Sequence, residues 1–171
     1  MSNQALTLRL AALPAGHSEM ETELRFTVLD AAEEEEPYEV GVRCEIENLS
    51  ARIHVRGRVR GRARSGCHRC LESFIRAVDA EFQVTLQRGL EDSEDLDLVG
   101  VPEHATEFDL TPFVREAVVL EEPIQLLCKP DCRGLCVRCG ADLNQVACGC
   151  APPVDARWGP LLDLPRPPSF D

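Results

Sequence analysis

Apolar and polar residues alternate through much of residues 1–90, the period of strands with one buried face. Leu6, Leu8 and Leu10 alternate with Thr7 and Arg9 and predict a short strand; Leu24 to Leu29 predicts a second. Glu33 to Glu36, followed by Pro37, predicts a solvated loop. From Glu39 to Glu47, Val40, Val42, Cys44 and Ile46 take one face, while Glu39, Arg43, Glu45 and Glu47 take the other. A turn at Asn48, Leu49 and Ser50 leads into a longer strand. Ile53, Val55, Gly57, Val59, Gly61 and Ala63 share its apolar side. The chain returns as a strand with Phe74, Val78, Phe82, Val84 and Leu86 inward and Asp79, Glu81, Gln83 and Gln87 outward. A three-stranded antiparallel meander is the simplest arrangement of these segments.

Beyond it the pattern changes. Residues 91–109 are acid-rich with few apolar anchors and predict a mobile connection. Thr111 and Pro112 predict a helix start, since Thr can cap and Pro suits the first turn. Val114, Ala117, Val118 and Glu121 follow at helical spacing, Phe113 and Leu120 widen the apolar face, and Pro123 closes the element. Six of the twelve prolines lie from Pro152 onward and predict a poorly ordered tail with a short helical turn near Trp158 to Leu164. The expected fold class is α+β, an antiparallel β-sheet with one main helix and a C-terminal zinc-bound module. The expected segments are a sheet region over 1–90, the connection over 91–109, helix and cysteine module over 110–150, and the tail over 151–171.

Eight of the nine cysteines then change the picture. They fall into four close pairs: Cys67 and Cys70, Cys128 and Cys132, Cys136 and Cys139, Cys148 and Cys150. Each pair can aim both sulfurs at one ion, and tetrahedral zinc takes four thiolates, so the arithmetic gives two zinc sites. No basic start precedes an apolar run at Met1 to Leu10, and no apolar run nears the length of a membrane span. The expected compartment is therefore the cytoplasm, where thiols stay reduced, with no membrane partner. Two groupings compete. In one, Cys136, Cys139, Cys148 and Cys150 share an ion while Cys128 and Cys132 join the distant Cys67 and Cys70. In the other, Cys128, Cys132, Cys136 and Cys139 form a local site, and Cys67 and Cys70 meet Cys148 and Cys150. The first keeps Cys132 and Cys136 free to point apart across Gly134. Either grouping clamps the C-terminal segment onto the strand tip. All-thiolate sites leave no open coordination position, so structural zinc is expected. Cys44, alone on an apolar strand face, reads as core.

Net charge is −12, which argues against general affinity for nucleic acid. Yet Asn48 to Leu71 holds seven arginines and no acid, leaving −19 on the rest. Arg56, Arg58, Arg60, Arg62 and Arg64 recur every second residue, a ladder about 6–7 Å apart on one strand face, with Arg69 in the following knuckle. Such a ladder fits a phosphate backbone, which guanidinium groups pair bidentately. Without interleaved aromatics, base stacking is not indicated. The competing reading is internal pairing with Glu39, Glu45 and Glu47 on one side and Asp79 and Glu81 on the other, each pair worth a few tenths of a kcal/mol. No nucleophile–base pair, phosphate-cradling loop or open metal site stands out, and the four histidines are scattered, so no enzymatic activity is expected.

The run Cys128-Lys-Pro-Asp-Cys132-Arg-Gly-Leu-Cys136-Val-Arg-Cys139-Gly-Ala-Asp-Leu-Asn144, with Asp109-Leu-Thr-Pro-Phe-Val-Arg-Glu116 before it and the Cys67-His-Arg-Cys70-Leu knuckle earlier, resembles the YceD family. The resemblance extends from about Glu39 to Trp158; the proline-rich tail and the long arginine ladder fall outside its pattern. It implies a non-enzymatic role in accumulation of large-subunit ribosomal RNA and in ribosome assembly. It does not say what the protein touches; with the chemistry of the ladder, the expected partner is large-subunit ribosomal RNA or its precursor, met through Arg56, Arg58, Arg60, Arg62, Arg64 and Arg69. The alternative is an acidic adaptor that holds a basic ribosomal protein or assembly factor without touching RNA.

Overall fold

The computed structural model describes residues 5–27, 38–90, 98–151, 157 and 159. In chain order these form β1 (Thr7–Arg9), a short 3-10 turn (Leu10–Ala12), β2 (Gly16–Phe26), β3 (Tyr38–Leu49), β4 (Arg52–Gly66) and β5 (Ser73–Arg88). β6 (Leu98–Val101), β7 (Glu107–Asp109) and α1 (Thr111–Leu120) follow. The architecture is α+β. A five-stranded sheet has the order β2-β3-β4-β5-β6, antiparallel except where β6 runs parallel to β5, and β1 and β7 form a separate ribbon.

Alternation makes the sheet two-faced. Val40, Val42, Cys44 and Ile46 of β3 are buried, as are Ile53, Val55, Val59 and Ala63 of β4 and Val78, Ala80, Val84 and Leu86 of β5. Leu6, Leu8, Leu10, Leu110, Val114 and Val118 complete the same core. Burial pushes the Cys44 thiol up to about 11, so it packs as an uncharged side chain. The other face is open and carries the charges.

Two glycines let β4 lie so close to its neighbours. A Cβ at Gly57 would enter the ring of Phe82 on β5, and a Cβ at Gly61 would strike the Glu39 carbonyl of β3. Phe82 is accordingly half-buried, lying across the glycine rather than wholly inward as its alternation predicts.

Several expectations change. The meander is the centre of a larger sheet, because β2 starts at Gly16, where Gly-His-Ser-Glu offers little apolar signal. Residues 98–101 and 107–109 are strands within the stretch read as a mobile connection: β6 gains its hydrogen bonds from β5, and β7 from β1. Thr111 is the first helical residue rather than the cap. Its hydroxyl accepts the buried Leu6 amide at 2.7 Å, while its own amide bonds the Asp109 carboxylate at 2.8 Å. Leu120 is exposed, because α1 presents Val114 and Val118 to the core. The Glu33–Glu36 loop, residues 28–29 and the Trp158–Leu164 turn lie outside the described residues or rest on too few of them to assign. Among the described residues no helix is long and apolar enough to cross a membrane.

The glycine contacts are testable. Gly61→Ala should destabilise the fold by about 1–3 kcal/mol, the usual penalty of overpacking. Gly41→Ala, whose added carbon would sit 3.8 Å from the nearest atom, should change little. Urea midpoints at fixed metal concentration would compare them.

Candidate metal centres and the arginine face

β4 and β5 are joined by a knuckle in which Cys67 N donates to Glu72 O at 2.8 Å and Leu71 N to Cys67 O at 2.9 Å. The same two bonds recur in the C-terminal segment, Cys136 N to Ala141 O and Gly140 N to Cys136 O, both 2.8 Å. These are two copies of one Cys-x-x-Cys turn, each closed by a left-handed residue: Gly140 at φ 71° and Leu71 at φ 61°. Glycine suits that conformation and leucine does not. The Cys-x-x-Cys spacing gives the turn, but nothing in the sequence marks Leu71 as left-handed.

The segment from Leu126 docks on the first knuckle. His68 N donates to Leu126 O at 2.8 Å, Leu135 N to Arg69 O at 2.9 Å, and Arg69 Nη1 to Cys132 O at 2.9 Å. Gly134, at φ 73°, makes room: a Cβ there would lie 2.9 Å from the Arg69 carbonyl. This docking gathers Cys67, Cys70, Cys128 and Cys132 into one cluster, and Cys136, Cys139, Cys148 and Cys150 into another. Within each, the sulfurs lie within 4.8 Å of one another. Cys67 and Cys132 sulfurs are 3.7 Å apart, and those of Cys70 and Cys128 3.6 Å. A tetrahedron with metal–sulfur bonds of about 2.3 Å has edges of about 3.8 Å, so the first cluster has the dimensions of a metal cage. Of the two groupings the sequence leaves open, the structure brings together the one that pairs Cys128 and Cys132 with the distant knuckle.

Asn144 ties the segment that follows the Cys136–Cys139 turn back to the first cluster. Its side-chain amide donates to Asp142 Oδ1 at 2.7 Å and to Cys132 Sγ at 3.4 Å, and its Oδ1 accepts the Arg133 amide at 2.9 Å. Phe74 and Leu127 pack against the first cluster, whereas Cys139 and Cys150 of the second are exposed.

Without metal the sulfurs do not ionise alike. At Cys67 burial opposes ionisation, but amides including those of Cys70 and Arg69 outweigh it and lower the thiol to about 6. The Cys139 and Arg138 amides lower Cys136 to about 6 as well. Burial, then hydrogen bonding to Cys70, pushes Cys128 up to about 12; bonds with Cys139 and Cys136 do the same to Cys150.

Arg56, Arg58, Arg60, Arg62 and Arg64 are exposed together on the open face of β4. Across them stand Glu45 and Gln83 for Arg56, Arg43 and Glu81 for Arg58, Asp79 for Arg60 and Glu39 for Arg62. Arg58 forms a bidentate pair with Asp79 at 2.9 and 3.0 Å and reaches Glu81 at 3.3 Å; Arg60 shares Asp79 at 3.4 Å. The Arg58 guanidinium holds the Asp79 carboxyl below its usual range. Arg56 and Arg62 have no ion pair among the described residues. Arg69 stands apart from the ladder, in the knuckle. A further arginine, unmarked by the sequence pattern, sits at the sheet's end. Arg76 is 11% exposed and bonds Tyr38 Oη and Ser65 Oγ, both at 3.2 Å, and pairs with Glu122 at 3.3 Å.

The family model described as "Large ribosomal RNA subunit accumulation protein YceD" matches residues 55–165. The chain belongs to the YceD family. A chloroplastic YCED homolog 1 of Arabidopsis thaliana, named as a large ribosomal RNA subunit accumulation protein, is 26% identical over 154 residues, covering 73% of this chain and 48% of that protein. Its Zea mays counterpart is 26% identical over 141 residues, covering 65% and 48%. An uncharacterized protein of Mycobacterium leprae is 31% identical over 129 residues, covering 71% and 57%. The chain thus spans about half the length of these YceD relatives. No solved structure matches it.

Two outcomes test the cages. Metal uptake at pH 7 should release protons, at least those on Cys128 and Cys150, and affinity should fall further as pH drops through about 6, where Cys67 and Cys136 also protonate. Titration in weakly buffered solution with a pH indicator would read this. Gly134→Ala should weaken metal held by the first cluster, because the added carbon pushes Arg69 and Leu135 apart; cobalt(II) charge-transfer absorption would report it.

Proposed function

We propose that this YceD protein is a cytoplasmic, non-enzymatic factor in large-subunit ribosomal RNA accumulation that binds two structural zinc ions and meets ribosomal RNA through β4. Zinc follows from the donor set: eight thiolates in two cages, closed to substrate, are a soft all-sulfur environment. In zinc peptides such binding contributes roughly 10–16 kcal/mol, enough to hold a segment with so little apolar surface to bury. The relatives' names supply the link to ribosomal RNA.

The observation that carries the RNA contact is the exposure of five arginines at alternate positions on one open strand face. Asp79 already engages Arg58 and Arg60, so the ladder meets phosphate most readily at Arg56 and Arg62, with the others joining as their carboxylate bonds exchange for phosphate. Asp79 thereby limits how tightly RNA is held.

A second reading has its own observation. The same face carries Glu21 and Glu23 on β2 and Glu45 and Glu47 on β3, and none of these four has an ion pair with a lysine or arginine among the described residues. A basic ribosomal protein or assembly factor would meet these rows, and the protein would be an adaptor with the ladder serving its own sheet.

Three substitutions separate the readings. If RNA binds the ladder, Asp79→Asn should tighten binding to a large-subunit ribosomal RNA fragment several-fold. It should also steepen the salt dependence by about 0.7–0.9 per arginine freed. Arg56→Glu with Arg62→Glu should weaken binding at least tenfold. An affinity and a salt slope that ignore all three changes would sink RNA contact through β4 and leave the adaptor.

A further inference from the structure

We infer that the channel beside the outer edge of β5 is a strand-addition slot for an extended, basic segment of a partner protein. β4 pairs with β5 over Ser73–Gln87, but β6 pairs only with Thr85–Arg88. Residues 73–84 therefore present a sheet edge with no strand beside it among the described residues. Sheet edges are templates for further pairing, and folds usually blunt or cover them. Here, along most of the longest strand, no main-chain partner takes up the edge among the described residues.

What lies alongside is the segment 121–130, and it walls the edge without closing it. Pro123 and Pro130 carry no N–H to donate. Its backbone bonds run to α1, to His68 and to Cys132, with none to residues 73–84 among the described residues. Between segment and edge lies a groove of about 520 Å³. Phe74, Val78, Pro123, Leu126 and Leu127 give it an apolar lining. This is the geometry of peptide recognition by strand addition, in which main-chain bonds supply affinity and pockets for alternate side chains supply selectivity.

Charge selects the occupant. Arg76 lines the groove but is mostly buried and neutralised by Glu122. Glu121 and Asp79 also line it; Asp79 is already held by Arg58 and Arg60, but Glu121 has no ion pair among the described residues. An incoming strand with apolar residues on one face and lysine or arginine at intervening positions satisfies both the apolar lining and Glu121. A second copy of this chain would bring a net charge of −12 against −12, and phosphate would meet Glu121. The occupant is thus a basic polypeptide. This inference does not depend on RNA contact at β4, because its charge argument rests on Glu121, which lies outside the ladder and its ion pairs.

The probe is a fluorescein-labelled Lys-Thr-Val-Lys-Val-Lys-Thr peptide, titrated by fluorescence anisotropy into the full-length, zinc-loaded protein. Saturable binding is expected. It should weaken at least tenfold when alternate backbone nitrogens of the peptide are methylated, since this removes strand-pairing donors while keeping charge. Glu121→Lys should weaken it about tenfold, as should Ala77→Phe, which fills the groove from an exposed position; metal content and circular dichroism would verify that both variants fold. Binding indifferent to backbone methylation, or unchanged in both variants, would overturn the slot. So would no binding at all. A dimer in sedimentation that Ala77→Phe disperses would instead assign the edge to a second copy, and binding that appears only after Leu161→Asp and Leu162→Asp would assign it to this chain's own tail.

Discussion

The cage of Cys67, Cys70, Cys128 and Cys132 is the constraint on which the rest of the C-terminal half depends. Its sulfurs come from segments 58 and 65 residues apart, one a strand tip and the other a chain with little regular structure. Between Pro123 and Cys150, Leu126 and Cys132 are the buried hydrophobic residues. Burial on that scale gives such a segment little hold against the entropy of ordering it. Backbone bonds with His68 and Arg69 hold it instead, and an ion shared by the four sulfurs would supply the rest. Once Cys128 and Cys132 are fixed, Gly134 and Asn144 carry the order forward to the second cluster. The groove beside β5 also follows from this docking, because Leu126 and Leu127 form one of its walls only while the segment is held at the knuckle.

The two knuckles show how a local turn is reused under different demands. Both close with the same pair of backbone bonds and a left-handed residue at the same place in the turn. Gly140 meets that geometry at no steric cost; Leu71 meets it against a penalty of roughly 1–2 kcal/mol while remaining 73% exposed. The first knuckle carries that strain because it is fixed at every side, by β4, by β5 and by the docked segment. The second is tied at its base, by the bridge between Leu135 and Asp142, the Leu143 N to Gly134 O bond and Asn144, and keeps glycine.

Charge on the open sheet face is a balance rather than a basic patch. A row of arginines stands between two strands rich in carboxylates, and its centre is already paired by Asp79 and Glu81. A polyanion arriving there exchanges one set of ion pairs for another, so its affinity depends on small differences. The proposed contact is for that reason tunable by single carboxylates. Exposed ion pairs are individually weak, which keeps such an exchange within reach.

The sequence by itself determined what depends on neighbours along the chain. Alternation placed β3, β4 and the buried face of β5, and the arginines of β4 fell on one side because strand side chains alternate. Cysteine spacing identified both knuckles, since the ring that brings two sulfurs to one ion closes locally. The tertiary structure decided what depends on pairing between distant segments. It extended β2 back to Gly16 through hydrogen bonds from β3, and made strands of residues 98–101 and 107–109, whose local composition argues against them. It set which cysteine pairs meet, and moved Thr111 from cap to partner of the Leu6 amide. It buried Arg76 among Tyr38, Ser65 and Glu122, and gave Arg58 and Arg60 to Asp79. Periodicity tells which face a side chain takes; only the register between strands tells what stands opposite it.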